Sequence, residues 1–148
     1  MQAEIAALMK TAGVPGFAMC VLKDGREDVI ALGVTNRATA EPVTAQTVFQ
    51  AASLSKPVVA HATLRLAASG MLDIDKPLAQ IVGSLVPDDP MSVLITARHV
   101  LSHRTGLPNW RREGHPLRSH FPPGSRFSYS GEGFVFLQRA LEHLTQEP

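Results

Sequence analysis

The chain has 148 residues, 45% of them hydrophobic and 18% charged, enough for about one domain with its own core and too apolar for a disordered polypeptide. Its formal net charge of +1 removes any general attraction to nucleic acid. The longest apolar stretch, 58–68, is broken by His61 and Arg65 and falls far short of the roughly 20 residues of a membrane span.

The start, Met1-Gln2-Ala3-Glu4, has neither a basic n-region nor an apolar h-region. A cytoplasmic location is therefore expected, or a periplasmic one if a leader has been removed. Ile5, Leu8 and Met9 recur at i, i+3, i+4 and predict a short helix ended by Gly13 and Pro15. Gly16 to Leu22 is almost wholly apolar and predicts a strand covered on both faces. The single Cys20 lies in that run, which excludes an internal disulfide and predicts a buried small hydrophobe. Lys23-Asp24-Gly25-Arg26 reads as a hairpin turn, with Val29 to Val34 as the partner strand.

Ser53 is expected to open a long helix towards Ser69, with Leu64, Ala67 and Ala68 on its apolar side and Gly70 as its stop. Pro57 in the first turn costs little, because N–H groups there have no helical partner. Asp75 is expected to cap a short helix running to Ile81, and Thr96 one running from Ala97 to about Ser102 and closed by Gly106. Prolines 108, 116, 122 and 123 mark an irregular loop. Ser130 caps a last helix carrying the stripe Phe134, Leu137, Leu141, Leu144.

Chemistry concentrates in two places. Ser53-Leu54-Ser55-Lys56 is a Ser-x-x-Lys, and positions three apart on a helix are neighbours. A serine hydroxyl needs a nearby group to take its proton before it can attack a carbonyl. Downstream, Tyr129-Ser130-Gly131 contains the only tyrosine of the chain. Between them lies Leu101-Ser102-His103-Arg104-Thr105-Gly106-Leu107-Pro108. His99 and His103 are spaced i, i+4, but no Glu follows the first and no acid or Cys completes a set, so no metal site is expected. Asp73-Ile74-Asp75 lacks the rest of a Ca²⁺ loop.

In this order the three segments resemble the serine β-lactamase and penicillin-recognising superfamily, which includes class C β-lactamases, DD-peptidases and family VIII carboxylesterases. The resemblance runs over essentially the whole chain. It implies an α+β, β-lactamase-like fold, here truncated: an N-terminal helix, a β-hairpin and a helical subdomain, without the C-terminal strands of the sheet. Residues 1–148 are then a single partial domain.

The resemblance also implies roles. Ser53 is the nucleophile, Lys56 and Tyr129 are its proton-handling partners, and the product of attack is an acyl-enzyme. Sequence leaves open which of the two takes the proton. No cofactor is implied. Gly131 stands where the related motif Tyr-x-Asn has its Asn, a departure that favours esters over β-lactams, because an ester has no amide N–H to recognise. Gly131 and the basic loop residues Arg111 and Arg112 are the expected substrate contacts, for a small ester, β-lactam or peptide-like molecule. The third motif of the superfamily is not found. Lys10-Thr11-Ala12-Gly13 precedes the nucleophile, and His103-Arg104-Thr105-Gly106 belongs to the middle segment. The rival reading is a non-catalytic binding or regulatory module that associates with a partner, or with itself, through an exposed sheet edge.

Overall fold

The computed structural model describes residues 1–147, which form two compact units, Met1–Gln50 and the chain from Ala51 onward. The class is α+β, with one two-stranded antiparallel sheet and five α-helices among the described residues. No described helix is long and apolar enough to cross a membrane.

The first unit opens with α1 (Gln2–Ala12), whose Ala, Leu, Met, Glu and Lys are strong helix formers. Gly13 ends it at φ +68°, with the Val14 N–H returning to the Met9 carbonyl at 2.9 Å. Ile5 and Met9 are half-buried, but the expected third contact, Leu8, is 68% exposed. Strands β1 (Gly16–Lys23) and β2 (Arg26–Gly33) pair in register from Gly16–Gly33 to Lys23–Arg26. Asp24 and Gly25 make the turn at φ +51° and +75°, matching the right-handed twist of the strands as a two-residue loop of this kind does.

Strand β1 is not covered on both faces. Only Gly16, Phe17 and Met19 are half-buried, and Cys20 is exposed rather than buried. The period-2 signal of a one-sided strand is missing from the sequence because apolar residues occupy the open face as well. Among the described residues β1 pairs only with β2, and Val21, Leu22 and Val29 are exposed at its turn end. An open apolar edge is a template for another strand. The purified chain is therefore expected to scatter light as more than a monomer, with a mass that rises with concentration. Leu22→Lys should return it to the monomer mass; an unchanged mass would place the association elsewhere.

The second unit holds the larger core. Helices α2 (Ser55–Ala68), α3 (Ala79–Val82), α4 (Ala97–Leu101) and α5 (Gly131–Thr145) surround Leu72, Leu78, Ile95, Val100, Leu107, Phe136, Leu137 and Ala140. The inward face of α2 is Val59, Thr63 and Leu66, not Leu64 and Ala68, which are exposed. Thr63 is fully buried because its hydroxyl donates back to the Val59 carbonyl at 2.7 Å, so burial leaves no unpaired polar atom.

Asp75 does not cap a helix. Pro77 disfavours helical geometry at Lys76, and the Leu78 N–H is used in a bridge to the Ile95 carbonyl at 2.8 Å, so α3 begins only at Ala79. The Asp75 carboxylate instead receives both Nε and Nη2 of Arg98, at 2.6 and 2.8 Å. Thr96 does cap α4, in a reciprocal box in which the His99 N–H donates to Thr96 Oγ1 and the Thr96 N–H to His99 Nδ1. That helix is closed by Ser102 and by His103 at φ +53°, not by Gly106. Gly106, at φ +84°, serves a close approach: an added Cβ would lie 2.2 Å from the Phe121 carbonyl. Ser130 caps α5 through its hydroxyl, which accepts from the Gly133 N–H at 2.9 Å.

Candidate active site

Ser53 sits in a short 3₁₀ turn, Ala52–Leu54, that runs directly into α2. The turn is entered through Ala52 at φ +45°, a left-handed conformation that costs an alanine roughly 1–2 kcal/mol. Strain of that kind persists only where the surroundings hold the position. The i, i+3 spacing brings Lys56 Nζ to 3.1 Å from Ser53 Oγ. From 76 residues away, the Tyr129 hydroxyl donates to the same Oγ at 2.9 Å. Ser53 Oγ thus accepts two hydrogen bonds, one from an ammonium and one from a phenol.

The ammonium is held on several sides. Lys56 Nζ lies 5.1 Å from the Tyr129 ring centroid and 5.4 Å from that of Phe134, both within cation–π range. The Tyr129 phenol is drawn below its usual value of 10, first by the hydrogen bond with Ser53, then by hydrogen bonding and charge from Lys56. The structure therefore brings Ser53, Lys56 and Tyr129 into one hydrogen-bonded group.

The other three residues singled out from sequence are placed differently. Gly131 is buried, and its N–H donates to the Asn109 carbonyl at 3.0 Å and to Asn109 Oδ1 at 3.1 Å. A Cβ there would meet the Trp110 ring at 2.7 Å and the Asn109 carbonyl at 2.8 Å. Glycine is thus required by the Asn109 carbonyl and the Trp110 ring packed against it. Arg111 is bound to Glu132: Nε donates to Oε1 at 2.9 Å, Nη2 to Oε2 at 2.6 Å, and the Arg111 backbone N–H also reaches Oε1 at 2.9 Å. Its charge is already matched. Arg112 forms no ion pair among the described residues and, with Arg118, His115 and His120, borders a cavity of about 530 Å³ in the 108–120 loop.

Sequence reasoning missed Glu132 and Asn109, which tie the loop to the first turn of α5, and gave His103 no role. His103 stacks on Tyr129 with ring centroids 4.2 Å apart and planes at 27°. The segment Leu101 to Pro108, noted only for its order, was the available signal. Ring nitrogens of both histidines are in use, His99 Nδ1 in the box that caps α4 and His103 Nδ1 as acceptor from the Ser130 N–H at 3.1 Å.

A serine hydroxyl at a helix entry, bonded by a lysine three residues on and by a distant tyrosine, has groups within reach that can handle its proton. Residues 1–148 match the Beta-lactamase family, and the chain belongs to it. It is 30% identical over 160 residues to Penicillin-binding protein 4 of Amycolatopsis lactamdurans, a match covering 97% of this chain and 42% of that protein. It is 38% identical over 86 residues to Esterase EstB of Burkholderia gladioli, covering 57% of this chain and 22% of the esterase. The structure of SurE with D-Leu superposes with a TM-score of 0.80 at 28% identity, covering 98% of this chain and 36% of that one. The chain thus spans less than half the length of each of these three proteins.

Proposed function

We propose that the chain carries the acylation machinery of a serine hydrolase in which Ser53 attacks carboxylic esters. The observation that carries this reading is the pair of hydrogen bonds converging on Ser53 Oγ from Lys56 and Tyr129. On ionisation, which Lys56 favours, Tyr129 no longer donates to Ser53 Oγ but accepts from it, and the phenolate takes the Ser53 proton while Oγ forms a bond to the substrate carbonyl carbon. The carbonyl electron pair moves onto oxygen and returns as the C–O bond to the alcohol breaks. Tyr129 gives its proton to the departing alkoxide, leaving an acyl-Ser53. Water repeats the sequence, losing a proton to Tyr129 and releasing the acid and free Ser53. The Ser53 N–H, with the dipole of α2 behind it, is the donor this reading assigns to the developing oxyanion. Arg112 supplies a cation for a substrate carboxylate.

Esters are favoured over β-lactams in this reading because the position after Tyr129-Ser130 carries no amide. The packing of Gly131 supports that preference, since Asn cannot be accommodated without displacing Trp110. A similarity to proteins named as an esterase and a penicillin-binding protein is compatible with either acyl donor.

The test is covalent labelling. The chain is incubated with a short-chain p-nitrophenyl ester or a cephalosporin, quenched, and digested for mass spectrometry. The expected result is an acyl mass on the Ser53 peptide, faster with the ester and absent in Ser53→Ala. Equal labelling of Ser53→Ala would remove Ser53 from the mechanism. Faster labelling by the cephalosporin would overturn the ester preference. A folded chain that takes no label would favour the binding-module reading.

A further inference from the structure

We propose that His103 is a positioning residue that clamps Tyr129 onto Ser53. The inference rests on the hydrolase reading above for its purpose, but on separate contacts for its evidence. His103 leaves α4 in the left-handed conformation, at φ +53°, which histidine tolerates better than most residues. That reversal presents two acceptors to the segment before α5. The His103 carbonyl accepts from the Ser128 N–H at 2.8 Å, and its ring Nδ1 accepts from the Ser130 N–H at 3.1 Å. Tyr129 lies between these two bonds, and the imidazole face covers its ring at 4.2 Å. Backbone on both sides of the tyrosine and the plane of its ring are therefore fixed by one residue.

The clamp is needed because Tyr129 is 40% exposed and its hydroxyl would otherwise be held only at its tip. The imidazole is itself held, edge-on to Phe127 at 5.8 Å and tilted against Phe134 at 5.4 Å. Accepting at Nδ1 requires the neutral ring with its proton on Nε2. Burial, and then the Lys56 charge, both lower the pKa of His103 and keep it in that form. The titratable groups against Tyr129 are Lys56 from α2 and His103 from the end of α4.

Because Tyr129 is the only tyrosine, phenol ionisation can be followed in the whole chain by ultraviolet difference absorbance. A neutral ring that merely packs on the phenol shields it from water and opposes ionisation, so losing such a ring would lower the titration midpoint or leave it unchanged. Losing a clamp separates the phenol from Ser53 and Lys56, so the midpoint should rise towards the ~10 of free tyrosine. His103→Ala is expected to raise it, and His103→Asn, whose Oδ1 can still accept from the Ser130 N–H, to raise it less. Acylation of Ser53 should slow by about 10–10²-fold in His103→Ala. A midpoint that stays or falls in a folded His103→Ala chain overturns the proposal. If that variant does not fold, an unchanged or lowered midpoint in His103→Leu, which fills the space of the ring but offers the Ser130 N–H no acceptor, does so. Titration needs no turnover, so a His103-sensitive midpoint in a chain that takes no ester label would sink the hydrolase reading and leave the clamp standing.

Discussion

Tyr129→Phe is expected to slow the acylation of Ser53 by about 10²–10⁴-fold, the usual range for losing a positioned general base and acid. The substitution removes only the hydroxyl that meets Ser53 Oγ at 2.9 Å. It keeps the ring that stacks on His103 and carries the cation of Lys56, so the fold should survive. The pH dependence should change along with the rate. The Tyr129 phenol ionises below its ordinary 10, so acylation by the unmodified chain should rise with pH through that depressed value and then level off. Tyr129→Phe should lose this limb. Release of p-nitrophenolate in the first turnover measures both. A variant that acylates at the normal rate with the same limb would assign the proton to Lys56 instead.

Arg111→Ala should destabilise the second unit by about 2–3 kcal/mol at pH 7. That is below the 3–5 kcal/mol typical of breaking a buried pair, because the Arg111 side chain is 52% exposed while that of Glu132 is 4% exposed. Truncation leaves the Glu132 carboxylate buried, with the Arg111 backbone N–H as its remaining hydrogen bond and the charge of Arg139 as its remaining cation. Folding holds the Glu132 carboxyl below its ordinary 4.5, chiefly through the hydrogen bond from Arg111. A depressed carboxyl contributes stability above its unfolded value and loses it as pH falls through the folded one. The gap between wild type and variant should therefore be full above about pH 5 and narrow under acid conditions. Urea unfolding followed by the fluorescence of Trp110, the single tryptophan and a neighbour of Gly131, reads this segment directly. Equal midpoints at neutral pH would show that Glu132 finds another partner or water.

Sequence alone determined what depends on neighbours within about four residues. Ser53 and Lys56 are spaced for contact by helical pitch. Asp24-Gly25 dictates its turn by its tolerance of positive φ, Gly13 stops α1 for the same reason, and Thr96 and Ser130 cap the helices that follow them. Tyr129 was legible only through the order of motifs, since nothing local predicts a bond across 76 positions. Tertiary structure decided the rest. Which face of α2 turns inward depends on the elements it packs against, and Thr63 could be chosen because its hydroxyl bonds within its own helix. Whether Asp75 caps a helix or takes Arg98 depends on the bridge between Pro77 and Thr96. Arg111, which reads as a free cation, meets Glu132 only because the 108–120 loop crosses the first turn of α5, and the same crossing leaves Gly131 no room for a side chain. An ion pair or a steric limit between distant segments is a property of their packing, and periodicity along the chain carries no record of it.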